Sequence, residues 1–150
     1  MTNIDLTNIT LEENCDFVDA MFIFQDFISE SNILETEINL HDLLNDYSEK
    51  IHNLKKYNNF EKDSLFILLY SSIMLYNDLA NPYVKNKMKL KQFIKMLNGC
   101  NSNNNFPIEL LNDIYKRIYN KIKMDISNNI IELDNLEVSI NKKNKTCIIL

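Results

Sequence analysis

Glycine is nearly absent from this sequence. Gly99 is the only one in 150 residues, and there are only two prolines. A dinucleotide fingerprint, a P-loop and a Gly-x-Ser-x-Gly elbow each need more than one glycine, so none of those sites can be built here. Collagen-like and linker-rich chains are excluded on the same count, and a β-sandwich is disfavoured because its many tight turns need glycine. Histidine is confined to His41 and His52, and the cysteines Cys15, Cys100 and Cys147 lie far apart with no Cys-x-x-Cys spacing. Such a scatter predicts no metal site, and free thiols in a reducing compartment are the simplest reading. The longest apolar stretch, Leu65 to Tyr76, is interrupted by Ser71 and Ser72. It falls short of the roughly 20 residues that a spanning helix needs. The polar, acidic N-terminus does not read as a secretory signal.

What is present points one way. Hydrophobic residues make up 45% and charged residues 25% of the chain, enough to bury a core within one domain. With so few breakers, helix is the default. The net charge of −5 argues against nucleic acid as a partner of the whole molecule. That charge is uneven, with many carboxylates in the first fifty residues and Lys142, Lys143 and Lys145 crowding the C-terminus. The tract Asn101-Ser102-Asn103-Asn104-Asn105 reads as a surface loop.

Periodicity predicts an all-α bundle. After Asp16, placed as an N-cap, Phe17, Ala20, Met21, Phe24 and Ile28 follow one helical face, and Ser29–Asn32 reads as a loop. Leu40, Leu43, Leu44, Tyr47 and Ile51 form a second stripe, followed by a polar spacer through Asn59. The helix over Leu65–Leu75 is apolar almost all round, which suits a central position, and Asn81-Pro82 stops it. Leu90, Phe93, Ile94 and Leu97 predict a short helix with Gly99 as its left-handed C′ residue. Pro107 fits the first turn of a last helix carrying Leu110, Leu111, Ile114, Tyr115, Ile118 and Ile122. Beyond Asp125, alternation at residues 130–133 and 136–140 around Asp134-Asn135 is compatible with a small hairpin. The division expected is an extension at 1–15, a helical domain at 16–125 and a tail at 126–150.

The string Ile73-Met74-Leu75-Tyr76-Asn77-Asp78-Leu79-Ala80-Asn81-Pro82-Tyr83-Val84-Lys85-Asn86-Lys87-Met88 resembles the second signature of the Sec-seven domain, the catalytic domain of Arf-family guanine-nucleotide exchange factors. The likeness continues without a gap. Leu90, Phe93, Ile94, Met96 and Gly99 fit the family's Leu-x-x-Phe-Ile-x-Met-Asn-x-Gly, and Pro107, Glu109, Leu110, Leu111, Tyr115 and Ile118 fit its Leu-Pro-x-Glu-Leu-Leu-x-x-x-Tyr-x-x-Ile. The sole glycine and both prolines fall on family positions. The resemblance runs from about Phe17 to Ile122 and covers the C-terminal part of the family's domain; that domain's first several helices have no counterpart here.

This resemblance implies a protein that binds an Arf-family GTPase in a groove between helices and accelerates GDP release, with no cofactor and no covalent chemistry. In the family a loop glutamate repels the nucleotide β-phosphate and takes the charge role of Mg²⁺. The carried-over groove contacts are Met74, Asn81 and Met96; core packing is the alternative for the two methionines, and a helix-end cap for Asn81. Where the family has Phe-Arg-Leu-Pro-Gly-Glu-Ala-Gln, this chain has Ile28-Ser29-Glu30-Ser31-Asn32-Ile33-Leu34-Glu35-Thr36-Glu37, without Pro, Gly or Arg. Glu35 is the chosen glutamate, with Glu37 next and Glu30 last; acids of a first helical turn are the alternative. Tyr76 and Ala80 replace the family Asn and His. A non-catalytic module that binds or sequesters the GTPase is the second functional reading.

The chain ends Lys142-Lys143-Asn144-Lys145-Thr146-Cys147-Ile148-Ile149-Leu150. Cys147 followed by two aliphatic residues and Leu is a prenylation box of the geranylgeranyl type. One lipid chain anchors reversibly, and neighbouring lysines add about 1 kcal/mol each on an anionic leaflet. The expected location is therefore cytoplasmic, peripheral on the cytosolic face of a membrane.

Overall fold

Asp16 opens the first helix, α1 (Phe17–Glu30), by accepting the Asp19 N–H on one carboxylate oxygen at 2.9 Å. The predicted face of α1 is buried, joined by Val18. The helix continues through Ser29 and Glu30, where the sequence reads as loop. In this computed structural model residues 6–30 and 39–128 are described. They contain five α-helices and a 3₁₀ turn at Leu6–Asn8, and no strand occurs among them. The expected hairpin lies outside the described residues.

Helix α2 (Leu40–His52) is capped by the Asn39 side chain, which accepts the His41 N–H at 3.0 Å. Leu43, Leu44, Tyr47 and Ile51 enter the core as their spacing predicts. Tyr47 is fully buried: its ring packs 4.5 Å from that of Phe24, and its hydroxyl donates to the Ala20 carbonyl at 2.6 Å. The segment after α2 is not the plain polar spacer that its asparagines suggest. Leu54 and Tyr57 are buried, and the Tyr57 hydroxyl accepts the Phe17 N–H at 2.7 Å. That bond satisfies one of the orphan donors of the first turn of α1. Its signal was hidden because two apolar residues three apart in an asparagine-rich stretch make no period.

Helix α3 (Lys62–Ala80) is central, packing on α1, α2 and α5. Leu65, Leu68, Leu69, Ile73, Leu75 and Leu79 are buried. Ser72, also buried, donates its hydroxyl to the Leu68 carbonyl at 2.7 Å, so the helix itself satisfies this break in the apolar run. The helix ends at Asn81, whose extended backbone (φ −76°, ψ 114°) is what the following proline demands.

The short α4 (Leu90–Met96) buries Phe93, with Leu97 just beyond it. Gly99 is left-handed (φ +74°) as expected, but it stands two residues beyond the cap Leu97, one past the C′ position. Its N–H is taken by the Asn105 side chain at 2.8 Å, while the Asn98 and Cys100 N–H groups on either side return to the Lys95 and Leu97 carbonyls. The asparagine tract then forms a tight turn in which Asn101 and Asn104 exchange both backbone hydrogen bonds at 2.9 Å, with Ser102 and Asn103 at positive φ. These are the signs of a type I′ turn, made here without glycine. Pro107 immediately precedes α5 (Ile108–Asn128), and its carbonyl accepts from Leu110 and Leu111. The α5 stripe of Leu111, Ile114, Ile118 and Ile122 is buried. The N-terminal segment lies against this bundle: Leu6 and Ile9 are buried, and Lys50 donates to the Ile9 carbonyl at 3.1 Å.

One cation ties the last helix to the first. Arg117 of α5, the only arginine in the sequence, bonds the second carboxylate oxygen of Asp16 and, at 2.7 Å, Asp19. Burial alone would raise the Asp16 carboxyl, but the Asp19 N–H and the Arg117 guanidinium outweigh it and hold the group below its usual range. A depressed carboxyl contributes stability that is present above the unfolded pKa and is lost as pH falls through the folded one. Asp16→Asn keeps a good cap but removes the charge, so it should cost about 1 kcal/mol near neutrality, given the pair's exposure. Urea titrations should show that gap closing as pH falls below about 4. An undiminished gap at acid pH would show that the ion pair contributes nothing. At Gly99 an added Cβ meets no atom within 4 Å, so Gly99→Ala is opposed by backbone strain alone. It should destabilise by about 1–2 kcal/mol, and Gly99→Asn by less, in the same titration.

Candidate functional site

Helix α3 is apolar nearly all round, yet one side of it is not covered. Ile67, Tyr70 and Met74, spaced three and four apart, are 37–39% exposed while the residues between them are mostly buried. The stripe borders α2: the Phe66 ring stacks with Tyr70 at 6.4 Å and lies 4.9 Å from the His41 ring. Met74 thus stands at the surface and not in the core. Asn81 follows it seven residues on, at the end of the same helix. Met96 closes α4 and is 40% exposed.

Asn81 is built into a fixed turn. Its side-chain oxygen accepts the Tyr83 N–H at 2.9 Å, and its carbonyl accepts the Val84 N–H and, at 2.7 Å, the Lys87 ammonium. The cap role open to Asn81 from sequence is therefore realised. Lys87 also donates to the Asp78 carbonyl at 3.2 Å, placing a cation on the C-terminal carbonyls of α3. The Asp78 carboxylate accepts the Met88 N–H at 2.7 Å, and the Tyr115 hydroxyl donates to the Met88 carbonyl at 2.8 Å. Four side chains thus hold the connection between α3 and α4 in one shape. Such a rigid loop beside an exposed apolar stripe can present a surface to a partner, but it contains no group arranged for bond chemistry.

Of the candidate glutamates, Glu30 is the exposed last residue of α1, so it is not an acid of a first helical turn. It borders a shallow hollow of about 340 Å³ with Ile9, Ile23 and Phe27. Glu35, Glu37, Cys147 and the tail lysines Lys142, Lys143 and Lys145 lie outside the described residues. Tyr76 is partly buried edge-on against Phe22 of α1, with ring centroids 6.4 Å apart. Burial, with Asp125 and Asp26 nearby, pushes its phenol up. Cys15 and Cys100 are free thiols. Among the described residues no three His, Cys, Asp or Glu side chains group to hold a metal ion, and no helix is long and apolar enough to cross a membrane.

Sequence reasoning missed Ile67 and Tyr70, because a helix apolar on every side hides which stripe stays uncovered. It also missed a charge run that a count would have found. Between Leu79 and Ile108 there are five lysines and no carboxylate.

The Sec7 domain family matches residues 8–122 of this chain. Human brefeldin A-inhibited guanine nucleotide-exchange protein 1 is 48% identical over 59 residues, which is 39% of this chain and 3% of that protein. The N-terminal Sec7 domain of RalF superposes with a TM-score of 0.61 at 21% identity, over 74% of this chain and 55% of that one. A Sec7 domain solved with ARF1-GDP and brefeldin A superposes with a TM-score of 0.50 at 26% identity, over 71% of this chain and 55% of that one. The chain therefore spans about half of these solved domains and a small fraction of the human relative. With its family match running through all five helices, this chain belongs to the Sec7 domain family.

Proposed function

We propose that this chain binds an Arf-family small GTPase and accelerates its release of GDP. The observation that carries the reading is the uncovered stripe Ile67, Tyr70 and Met74, which leads along α3 to the braced turn at Asn81. Support comes from the relatives: the human protein is named an exchange protein, and one matched domain was solved with ARF1-GDP. In this reading Met74, Asn81 and Met96 contact the GTPase. Methionine suits that task because its flexible, polarisable side chain adapts to a moving surface. Glu35 supplies the carboxylate. A second negative charge about 4 Å from a phosphate costs about 4 kcal/mol in a partly screened site, enough for roughly a thousandfold faster release.

One observation favours a second reading, a module that binds the GTPase without exchange. The segment at 28–37 lacks the proline, glycine and arginine of the family loop, so nothing in its composition forces a tight, glutamate-tipped turn. A single assay separates the two. Arf-type GTPases loaded with fluorescent GDP should bind the purified chain and lose nucleotide faster. Binding without faster release would leave the second reading, and no binding to any such GTPase would defeat both. Glu35→Lys should abolish exchange and spare binding, because a lysine attracts the phosphates. Full activity in that variant would move the role to Glu37 and then Glu30.

The proposed division is an N-terminal extension (1–15), the helical domain (16–125) and an anchoring tail (126–150). Prenylation of Cys147, assisted by Lys142, Lys143 and Lys145, would hold the domain on the cytosolic face of a membrane. In cells, Cys147→Ser should move the protein from the membrane pellet to the supernatant at any salt. Replacing the three lysines by glutamine should weaken retention mainly at low salt, where the Debye length is long. A Cys147→Ser protein still in the pellet would mean that another anchor exists.

A further inference from the structure

The lysine run missed at the sequence level has a place in the fold. Lys85, Lys87, Lys89, Lys91 and Lys95 are all exposed, in a chain whose net charge is −5. The first three line a cleft of about 630 Å³, together with Leu79 and the rings of Tyr115 and Tyr119. That volume falls in the range of small-molecule sites. The two rings are nearly parallel, 11° apart with centroids at 6.4 Å. Two of the lining groups are already engaged: Tyr115 donates to the Met88 carbonyl, and Lys87 to the carbonyls of Asp78 and Asn81. They fix the shape of the cleft. Lys85 and Lys89 form no ion pair among the described residues, and the one carboxylate beside the cleft, Asp78, is engaged by the Met88 N–H at 2.7 Å.

We propose that this cleft takes the phosphorylated headgroup of an anionic membrane lipid. Two ammonium groups without an ion-pair partner beside a cleft of this size match a compact, multiply charged anion. A long polyanion such as nucleic acid would have to continue beyond these lysines along a chain of net charge −5. Tyr119, 47% exposed beside the lysines, is the kind of amphipathic ring that sits at headgroup depth. None of Met74, Asn81 and Met96 lines the cleft, which adjoins the proposed GTPase contacts through the bond from Lys87 to the Asn81 carbonyl without including them.

The test uses the full-length, unprenylated chain and phosphatidylcholine vesicles doped with either a phosphatidylinositol bisphosphate or, at equal total charge, phosphatidylserine. Flotation should show tighter binding to the bisphosphate vesicles, with free inositol trisphosphate competing. Lys85→Gln with Lys89→Gln should weaken that binding about fivefold per lysine. Lys55→Gln with Lys56→Gln, two exposed lysines away from the cleft, should change it less than twofold. The tail lysines are common to all variants and cancel in the comparison, and thermal unfolding of each variant checks that the fold is kept. Equal losses from the two lysine pairs, or equal binding to the two vesicle types, would overturn the proposal. So would binding of free inositol trisphosphate without vesicle binding, which would assign the cleft to a soluble phosphate.

Discussion

Burial of α3 between α1, α2 and α5 is the interaction on which the rest of the structure depends. Six of its aliphatic side chains are buried, each contributing about 1.5–3 kcal/mol relative to exposure, and it has more buried residues than any other described helix. A helix in that position cannot carry charge on its covered faces. Its buried polar residues are the serines Ser64, Ser71 and Ser72, and Ser72 returns its hydroxyl to the helix's own Leu68 carbonyl. The same demand makes the uncovered stripe informative. Ile67, Tyr70 and Met74 are apolar where solvent would tolerate lysine or glutamate, so α3 is apolar beyond what its own packing requires.

The order of helices was legible because their stripes are long and their stop signals sharp. Asp16, Asn81-Pro82, Gly99 and Pro107 each act through one local rule, and each lies within a residue or so of its expected place. What stayed hidden depends on partners distant in sequence. Tyr57 sits in an asparagine-rich stretch and becomes a core residue only because the first N–H of α1, 40 residues away, needs an acceptor. Arg117 looks like one more surface cation on α5 until Asp16 and Asp19 are brought to it. The second-motif residues could be placed for the same reason as the helices, since they sit on a helix and its stop. The segment at 28–37 offered no such rule, because its sequence lacks the proline and glycine that would mark a turn.

Asparagine does in this chain what glycine does elsewhere. At 101–104 a turn of the glycine-demanding type is closed with Ser102 and Asn103 at positive φ, and Asn105 caps the turn that contains Gly99. The short polar side chain makes the left-handed region tolerable and supplies a hydrogen bond that glycine lacks. Thus the compositional drift toward asparagine is compatible with a defined fold. The absences that excluded phosphate loops and nucleophile elbows did not exclude tight turns.

The clamp at Arg117 bears on the order in which the chain folds. Its bond to Asp16 joins residues 101 apart in sequence. Closing a flexible loop of that length costs about 4 kcal/mol in chain entropy, more than a half-exposed ion pair returns. The pair therefore forms only after hydrophobic docking on α3 has already brought α1 and α5 together. Contacts of this kind, made only once their elements are already docked, hold an assembled bundle closed and do not build it.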